Sequence, residues 1–330
     1  MEPAPLAIAV FAALETTNLM KPLFVSILVV LAAWSARAEN LAIVGETVYT
    51  MAGEPLKQAF VLIKDGRIER VETGQPPEGY RVLQAKVVTP GLIDARATAG
   101  LSGLLNQPHD QEQTEKSAAI QPELRALDSF NARDPLVRFV RDLGVTTLHA
   151  AQSPNALVSG QSIVVKTHPE NLGQALVKSP AMLIATLGQE AVPSGDKAPG
   201  NRAKAVAMLR AELVKAREYA RKLDTAEEDK RPARDLKLEA LSQVLAGELP
   251  ILITAHRDHD LLAVLRLARE FDFRPVLDGA SEAYLVLNQI KESGLSVILH
   301  PTMFRASGEQ ENLSFETAAR LHEAGIPFAI

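Results

Sequence analysis

Residues 88–98 read Val88-Thr89-Pro90-Gly91-Leu92-Ile93-Asp94-Ala95-Arg96-Ala97-Thr98, and this stretch decides the fold. It follows a β-rich segment and reads as a strand. Side chains of a strand alternate between its two faces, so Arg96 and Thr98 point to the same side. Arg cannot lose its proton, and it has no lone pair to offer a metal ion. The stretch therefore predicts a strand that carries a fixed positive charge near its end.

After this strand, short apolar segments alternate with helical patterns, which indicates parallel βα units. The predicted strands are residues 88–95, 145–150, 162–166, 182–187, 250–255, 274–278, 296–300 and 327–330. The predicted helices are residues 135–143, 201–222, 236–246, 259–271, 281–292 and 314–324. Eight strands with intervening helices predict an α/β fold, a (β/α)8 TIM-like barrel over residues 88–330.

Residues 39–87 predict a small layer of β-strands that precedes the barrel. Asp65-Gly66 lies between two short apolar runs, which is the usual pattern of a tight hairpin. Residues 80–88 supply a further strand. The sequence therefore predicts two domains after the N-terminal segment, with bounds 39–87 and 88–330.

The stretch from Thr89 to Thr98 resembles the first barrel strand of the amidohydrolase superfamily, which reads T-P-G-L-I-D-A-H-x-H. Residues 144–149, 160–166 and 250–257 carry further similarity, and the chain is closest to the imidazolonepropionase-like group. The resemblance implies that residues 39–87 are part of a flanking β-sandwich. It also implies a strand-eight Asp that binds metal and acts as the base. That Asp, a final helix and the returning sandwich strands are expected beyond Ile330, so the barrel is expected to be truncated at strand eight.

The resemblance also implies a divalent metal, most often zinc, which activates a water molecule. Arg96 and Thr98 replace the two first-strand His ligands, so we predict a divergent metal site or none. His256, Asp278 and His300 form the alternative ligand set. Asp278 has a second interpretation as the cap of the helix that begins near Ser281. We also predict that Arg96 pairs with Asp278 across the mouth of the barrel.

Other residues are weaker candidates. His109 and Arg125 lie in the long loop after the first strand and are predicted to bind substrate. Arg125 would bind a carboxylate of the substrate through two hydrogen bonds. His149 closes the second strand and is more typical of a structural histidine. Lys166 matches the bridging Lys of some relatives by type, but the family carries that residue on a different strand.

Charge and composition limit the partners. The net charge of −5 argues against a nucleic-acid surface, and the absence of cysteine excludes disulfides and thiolate metal ligands. Residues 1–38 are predicted to be a leader, with an apolar run from Pro22 to Trp34 and cleavage after Ala38. We expect a periplasmic or secreted protein with no stable membrane span after cleavage.

The predicted function is hydrolysis of a non-peptide C–N bond in a small molecule. The alternative is a catalytically inactive amidohydrolase-fold protein that acts as a binding or scaffold module without a standard metal centre. Loss of both first-strand ligands favours this alternative, because it removes most of the expected metal affinity. A homo-oligomer or a pairing with a homologue is a further expectation.

Overall fold

The computed structural model describes residues 40–105, 107–191, 199–301 and 307–330. The chain divides into two compact units, one before Gly91 and one from Gly91 to Ile330. The predicted leader lies outside the described residues. Within the described ranges, no helix is long and apolar enough to cross a membrane.

The first unit is a four-stranded sheet in the order β3-β2-β1-β4. Its strands are β1 (Leu41–Val48), β2 (Leu56–Lys64), β3 (Arg67–Thr73) and β4 (Arg81–Val88). The predicted hairpin at Asp65-Gly66 joins β2 to β3, and both of its residues have positive φ, as a tight hairpin turn requires. Alternate residues of β2 enter two separate apolar clusters, one around Phe60 and one around Val61. The sheet therefore buries apolar side chains on both faces.

The second unit mixes strands and helices. Its strands are β5 (Leu92–Ala97), β6 (Val145–Ala150), β7 (Val158–Gln161), β8 (Ile163–Lys166), β9 (Leu176–Lys178), β10 (Leu183–Thr186), β11 (Ile251–Ala255), β12 (Pro275–Gly279), β13 (Val297–Leu299) and β14 (Phe328–Ala329). Its helices are α1 (Pro135–Asp142), α2 (Leu172–Ala175), α3 (Arg202–Thr225), α4 (Leu236–Leu245), α5 (Asp258–Phe271), α6 (Leu287–Ser293) and α7 (Thr317–Ala324). The first barrel strand thus begins at Leu92, whereas Val88 belongs to β4.

These strands form two sheets. One has the order β14-β13-β12-β11-β10-β7, and its strands from β10 to β14 are parallel as predicted. The other has the order β5-β6-β8-β9, with β5 and β6 parallel. The structure is therefore α/β, but the described strands do not close into one hydrogen-bonded barrel.

The difference from the predicted barrel lies between β6 and β10. The strand β8 runs antiparallel to β6, and β7 runs antiparallel to β10. A parallel neighbour requires a long crossover connection, usually a helix. Residues 151–162 contain no helix, so β8 can pair with β6 only in the reverse direction. The prediction that residues 162–166 form a parallel strand is wrong for this reason.

The largest apolar core lies between the six-stranded sheet and the helices that follow its strands. All residues of β10 and β11 are buried, which is typical of parallel strands covered on both faces. The helices contribute Leu209 and Leu213 from α3 and Val264 from α5. This core fixes β11, β12 and β13 side by side, so the polar residues at their carboxyl ends lie close together.

Candidate active site

Four side chains meet at the carboxyl ends of the strands. Thr254 lies near the end of β11, Asp278 lies in β12, and His300 directly follows β13. Arg96 comes from β5, in the other sheet. Sites in α/β proteins are built at the carboxyl ends of parallel strands. We call these four residues the Arg96–Asp278 cluster.

Asp278 is the centre of the cluster and is fully buried. Its Oδ2 accepts a hydrogen bond from Thr254 Oγ1 at 2.6 Å, and its Oδ1 accepts one from His300 Nε2 at 2.9 Å. Burial acts to raise the pKa of Asp278, but the hydrogen bond and charge of His300, the charge of Arg96 and the Thr254 hydroxyl outweigh it and lower the pKa. Asp278 is therefore an ionised carboxylate, and both side-chain oxygens are bonded within the cluster rather than to a helix end.

Arg96 links the cluster to the loop after β6. Its Nη1 donates to the carbonyl of Ala151 at 3.2 Å, and its Nη2 donates to the carbonyl of Gln152. Its Nε lies 3.8 Å from Asp278 Oδ2, so the predicted pairing is present. Burial lowers the pKa of Arg96, and the charge of Asp278 opposes this shift. Because an arginine in a protein stays protonated, the cluster contains a buried and permanent positive charge.

His300 is the partly open member of the cluster, with 37% of its side chain exposed. An ionised carboxylate can only accept hydrogen bonds, so the proton of this hydrogen bond is on His300 Nε2, which donates it to Asp278. Its Nδ1 makes no hydrogen bond with the part of the chain that the structure describes. The bond to Asp278 raises the pKa of His300, although burial opposes it. The pair is a histidine oriented by a carboxylate, with its second nitrogen unoccupied.

His256 lies beside the cluster and is buried. Its Nδ1 is 2.9 Å from Ser281 Oγ, and its Nε2 is 3.2 Å from the side-chain nitrogen of Gln310. The Gln310 nitrogen is a donor, so the Nε2 of a neutral His256 accepts and Nδ1 donates to Ser281. Burial lowers the pKa of His256, and the charge of His300 lowers it further. His256 is therefore neutral, and neither ring nitrogen is free.

The close approach of His256 to β12 depends on Gly279. A Cβ at this position would lie 2.5 Å from His256 Cε1, and the backbone φ of Gly279 is +76°. Only glycine meets both conditions without strain. At the end of β12, Asp278 thus supplies the carboxylate, and the next residue, Gly279, leaves the space that the ring of His256 occupies.

The other predicted site residues lie outside the cluster. Thr98 Oγ1 accepts a hydrogen bond from Ser102. His109 is exposed and lies 3.6 Å from Asp110, while Arg125 makes a two-point ion pair with Asp128. Substrate binding by His109 and Arg125 stays a prediction.

The two remaining candidates, His149 and Lys166, form hydrogen bonds with neighbouring residues outside the cluster. His149 Nδ1 donates to the carbonyl of Ala95 at 2.8 Å, and its Nε2 lies 2.6 Å from Ser162 Oγ. Burial lowers the pKa of His149, which makes it a neutral structural histidine. Lys166 donates to Thr147 Oγ1 at 2.9 Å.

Sequence reasoning missed Glu190, which lies in the loop after β10. Its Oε1 is 3.9 Å from His256 Nε2. Burial raises the pKa of Glu190, and the charges of Glu309 and Asp278 raise it further. Its position three residues after the end of the predicted fourth strand was the available signal, because barrel sites collect residues from such loops.

The cluster does not fit a divalent metal ion. The Arg96 guanidinium lies beside the carboxylate that would hold the ion, and like charges repel. Within the described ranges, no group of three or more His, Asp or Glu side chains has a geometry that could hold a metal ion. Asp278 is paired with the Arg96 guanidinium instead, and zinc binding by His256, Asp278 and His300 stays a prediction.

Comparisons with known proteins support the resemblance seen in the sequence. No family model matches the chain. The chain is 22% identical over 258 residues to Amidohydrolase tasK of Hapsidospora irregularis, and the match covers 68% of this chain and 26% of the relative. The chain thus spans about a quarter of that curated relative.

A solved amidohydrolase from Thermotoga maritima MSB8 has a similar fold. The TM-score is 0.80 and the identity 27%, over 88% of this chain and 77% of that one. The similarity to the ochratoxinase of A. niger is weaker. It covers 89% of this chain and 75% of that chain at 14% identity, with a TM-score of 0.39. The similarities to the Hapsidospora and Thermotoga amidohydrolases confirm the predicted resemblance to amidohydrolases.

Proposed function

We propose that this chain, which is similar to amidohydrolases, hydrolyses a non-peptide C–N bond in a small molecule. The observation that carries the proposal is the Asp278–His300 pair, in which Nε2 is bonded to the carboxylate and Nδ1 has no hydrogen-bond partner among the described residues. A histidine oriented in this way is suited to general base catalysis. Asp278 then acts as a positioning residue.

The proposed reaction is the addition of water to a carbonyl carbon. His300 Nδ1 removes a proton from a water molecule, whose oxygen forms a bond with the carbonyl carbon. The C–N bond breaks, and the leaving nitrogen receives one proton. Glu190, with its raised pKa, is the carboxyl group that we propose for delivering this proton. The products are a carboxylic acid and an amine, and the cycle closes when His300 releases its proton to solvent and Glu190 takes one up.

Arg96 has an indirect role in this proposal. Its fixed charge adds to the larger effect of His300 in lowering the pKa of Asp278, and an ionised Asp278 holds the proton of His300 on Nε2. We propose that the guanidinium stands where relatives with two first-strand His residues place a metal ion. No step of the proposed reaction passes through a metal.

The test is hydrolysis of a panel of uncharged cyclic and aromatic amides. The rate is measured from the amine that is formed, with and without a chelator. His300→Gln should lower kcat/KM by about 10²–10⁴-fold, the usual contribution of a general base. His322→Gln, an exposed histidine on α7, is the matched control and should change nothing. Full activity of His300→Gln, or activity that a chelator abolishes, would refute the proposed mechanism.

The alternative of a non-catalytic binding module is favoured by one observation, the replacement of both first-strand ligands by Arg96 and Thr98. It predicts that small amides stabilise the protein against heat and that no amine is released from any of them. The same panel therefore separates the two functions.

Several further expectations belong to this proposal. We propose that the seven parallel strands β5, β6 and β10 to β14, with the antiparallel β8 as the eighth, are a divergent form of the (β/α)8 barrel that hydrogen bonds do not fully close, supported by the similarity to the Thermotoga amidohydrolase. We propose that residues 39–87 are part of a flanking β-sandwich. We also propose export to the periplasm or medium, and assembly with a second copy or a homologue. A small-molecule substrate rather than a nucleic acid agrees with the net charge of −5.

A further inference from the structure

A small cavity lies beside His300, at the carboxyl ends of β12, β13 and β14. Its volume is about 200 Å³. We call it the Thr317 cavity. Its lining includes Ser281, Leu299, His300, Leu313, Thr317 and Ala318.

The walls of the Thr317 cavity are apolar with a few uncharged polar groups. Apolar side chains come from the end of β13, from the loop before α7 and from α7 itself. Among the described lining residues, His300 has the one side chain that can carry a charge, and none of them is Asp, Glu, Lys or Arg. Moving a charged group into such a site without a partner is very costly. The cavity therefore selects an uncharged group.

Thr317 supplies an independent observation. It is 4% exposed, and its Oγ1 has no hydrogen-bond partner among the described residues. Buried polar atoms are nearly always bonded, so an unpaired hydroxyl beside a cavity calls for a partner. Ser281 Oγ accepts from neutral His256, which leaves its own proton available to a ligand. Three hydroxyl residues, Ser281, Ser314 and Thr317, thus line the cavity together with His300.

The volume sets the size of the ligand. An apolar cavity of about 150 Å³ is large enough to bind benzene. The Thr317 cavity, at about 200 Å³, has room for one ring with a small substituent. His300 also lines a second cavity of about 330 Å³, which includes Arg96 and Asp94. A molecule at His300 can therefore place a ring on one side and its remaining part on the other.

We propose that the Thr317 cavity is a specificity subsite for a ring-sized, uncharged group that carries one hydrogen-bond acceptor. This inference rests on the proposed function, since it places the ring of the substrate next to the base His300. The acceptor of the group bonds to Thr317 or Ser281. The apolar walls exclude groups of the same size that carry a charge.

The test is equilibrium binding, measured by calorimetry on the whole protein without turnover. Benzamide is the uncharged probe, and benzoate and benzamidinium are charged probes of the same size. Benzamide should bind at least tenfold more tightly than either charged probe. Ala318→Phe fills the cavity and should lower benzamide affinity by more than tenfold. Ala319→Phe is its control, because Ala319 is exposed on the same helix.

Thr317→Val keeps the shape of the side chain and removes its hydroxyl, and it should weaken benzamide binding by about five- to tenfold, as loss of one hydrogen bond does. The inference is overturned if wild-type protein does not bind benzamide, if benzoate binds equally well, or if Ala318→Phe and Ala319→Phe bind alike. Thermal unfolding of each variant verifies that it is folded. Binding that follows this pattern without any amide hydrolysis would sink the proposed function and leave the subsite standing.

Discussion

At the scale of single residues, the main feature of this chain is that a guanidinium pairs with the carboxylate at the carboxyl ends of the strands. Arg96 and Asp278 are both almost completely buried, and their side chains approach to 3.8 Å. An isolated buried charge is very costly, so each of the two is needed by the other. His300 and Thr254 then bond to the carboxylate and fix its orientation.

Asp278→Asn should therefore be strongly destabilising. It leaves Arg96 buried beside an uncharged group, and breaking a buried pair in this way costs about 3–5 kcal/mol. Asp128→Asn breaks the exposed pair with Arg125 and should cost less than about 1 kcal/mol. Urea unfolding measures both free energies. Equal losses in the two variants would show that the buried pair contributes little.

The raised pKa of His300 predicts a pH dependence of stability. The folded chain binds the His300 proton more tightly than the unfolded chain does. The resulting stabilisation is complete below the ordinary imidazole pKa of about 6.5 and is lost as the pH rises through the raised pKa of the folded state. The free energy of unfolding of wild type minus that of His300→Gln should therefore fall as the pH rises above about 6.5. A difference that stays constant over this range would contradict the account.

At the scale of elements, the bend at the end of β12 positions both His256 and Asp278. Gly279→Ala should lower the free energy of unfolding by about 1–2 kcal/mol because φ is positive at this position. The contact with His256 should lower it by about another 1–3 kcal/mol. Gly325→Ala is the matched control, because its φ is +72° and nothing lies within 4 Å of its Cβ position. Chemical unfolding of the two variants gives the difference. If they lose the same stability, the contact with His256 is not tight.

The helices could be predicted from the sequence because their starts have local signals. Asn201 caps α3 by accepting from the backbone nitrogen of Lys204, and Asp235 caps α4 in the same way. Strand direction had no such signal. The periodicity of residues 162–166 is the same for a parallel and an antiparallel strand, and only the missing crossover helix distinguishes the two.

The site, like the fold, could be predicted from the sequence only in part. Arg96, Asp278 and His300 all lie at or near strand ends, so the fold prediction alone brings them together. Glu190 and Gln310 lie in loops, and their contacts with His256 depend on how those loops pack. The alternation of a strand says nothing about loop packing, so these neighbours could not be found.

At the scale of the whole molecule, the N-terminal segment carries a prediction that concerns residues outside the described ranges. The apolar run and Ala36-Arg37-Ala38 predict that the exported protein begins at Glu39. N-terminal sequencing of protein recovered from the periplasm or medium should give Glu-Asn-Leu as the first residues. Retention of residues 20–38 on a soluble cytoplasmic product would be the contrary result.

The central claim is that the Arg96–Asp278 cluster takes the place of a metal centre, and elemental analysis of the purified protein tests it most directly. Protein dialysed against zinc-containing buffer and then desalted should hold far less than one metal ion per chain. The variant that combines Arg96→His with Thr98→His should take up more zinc, because it restores two ligands and removes the fixed charge. Tightly bound metal at close to one ion per chain in the unmodified protein would contradict the account.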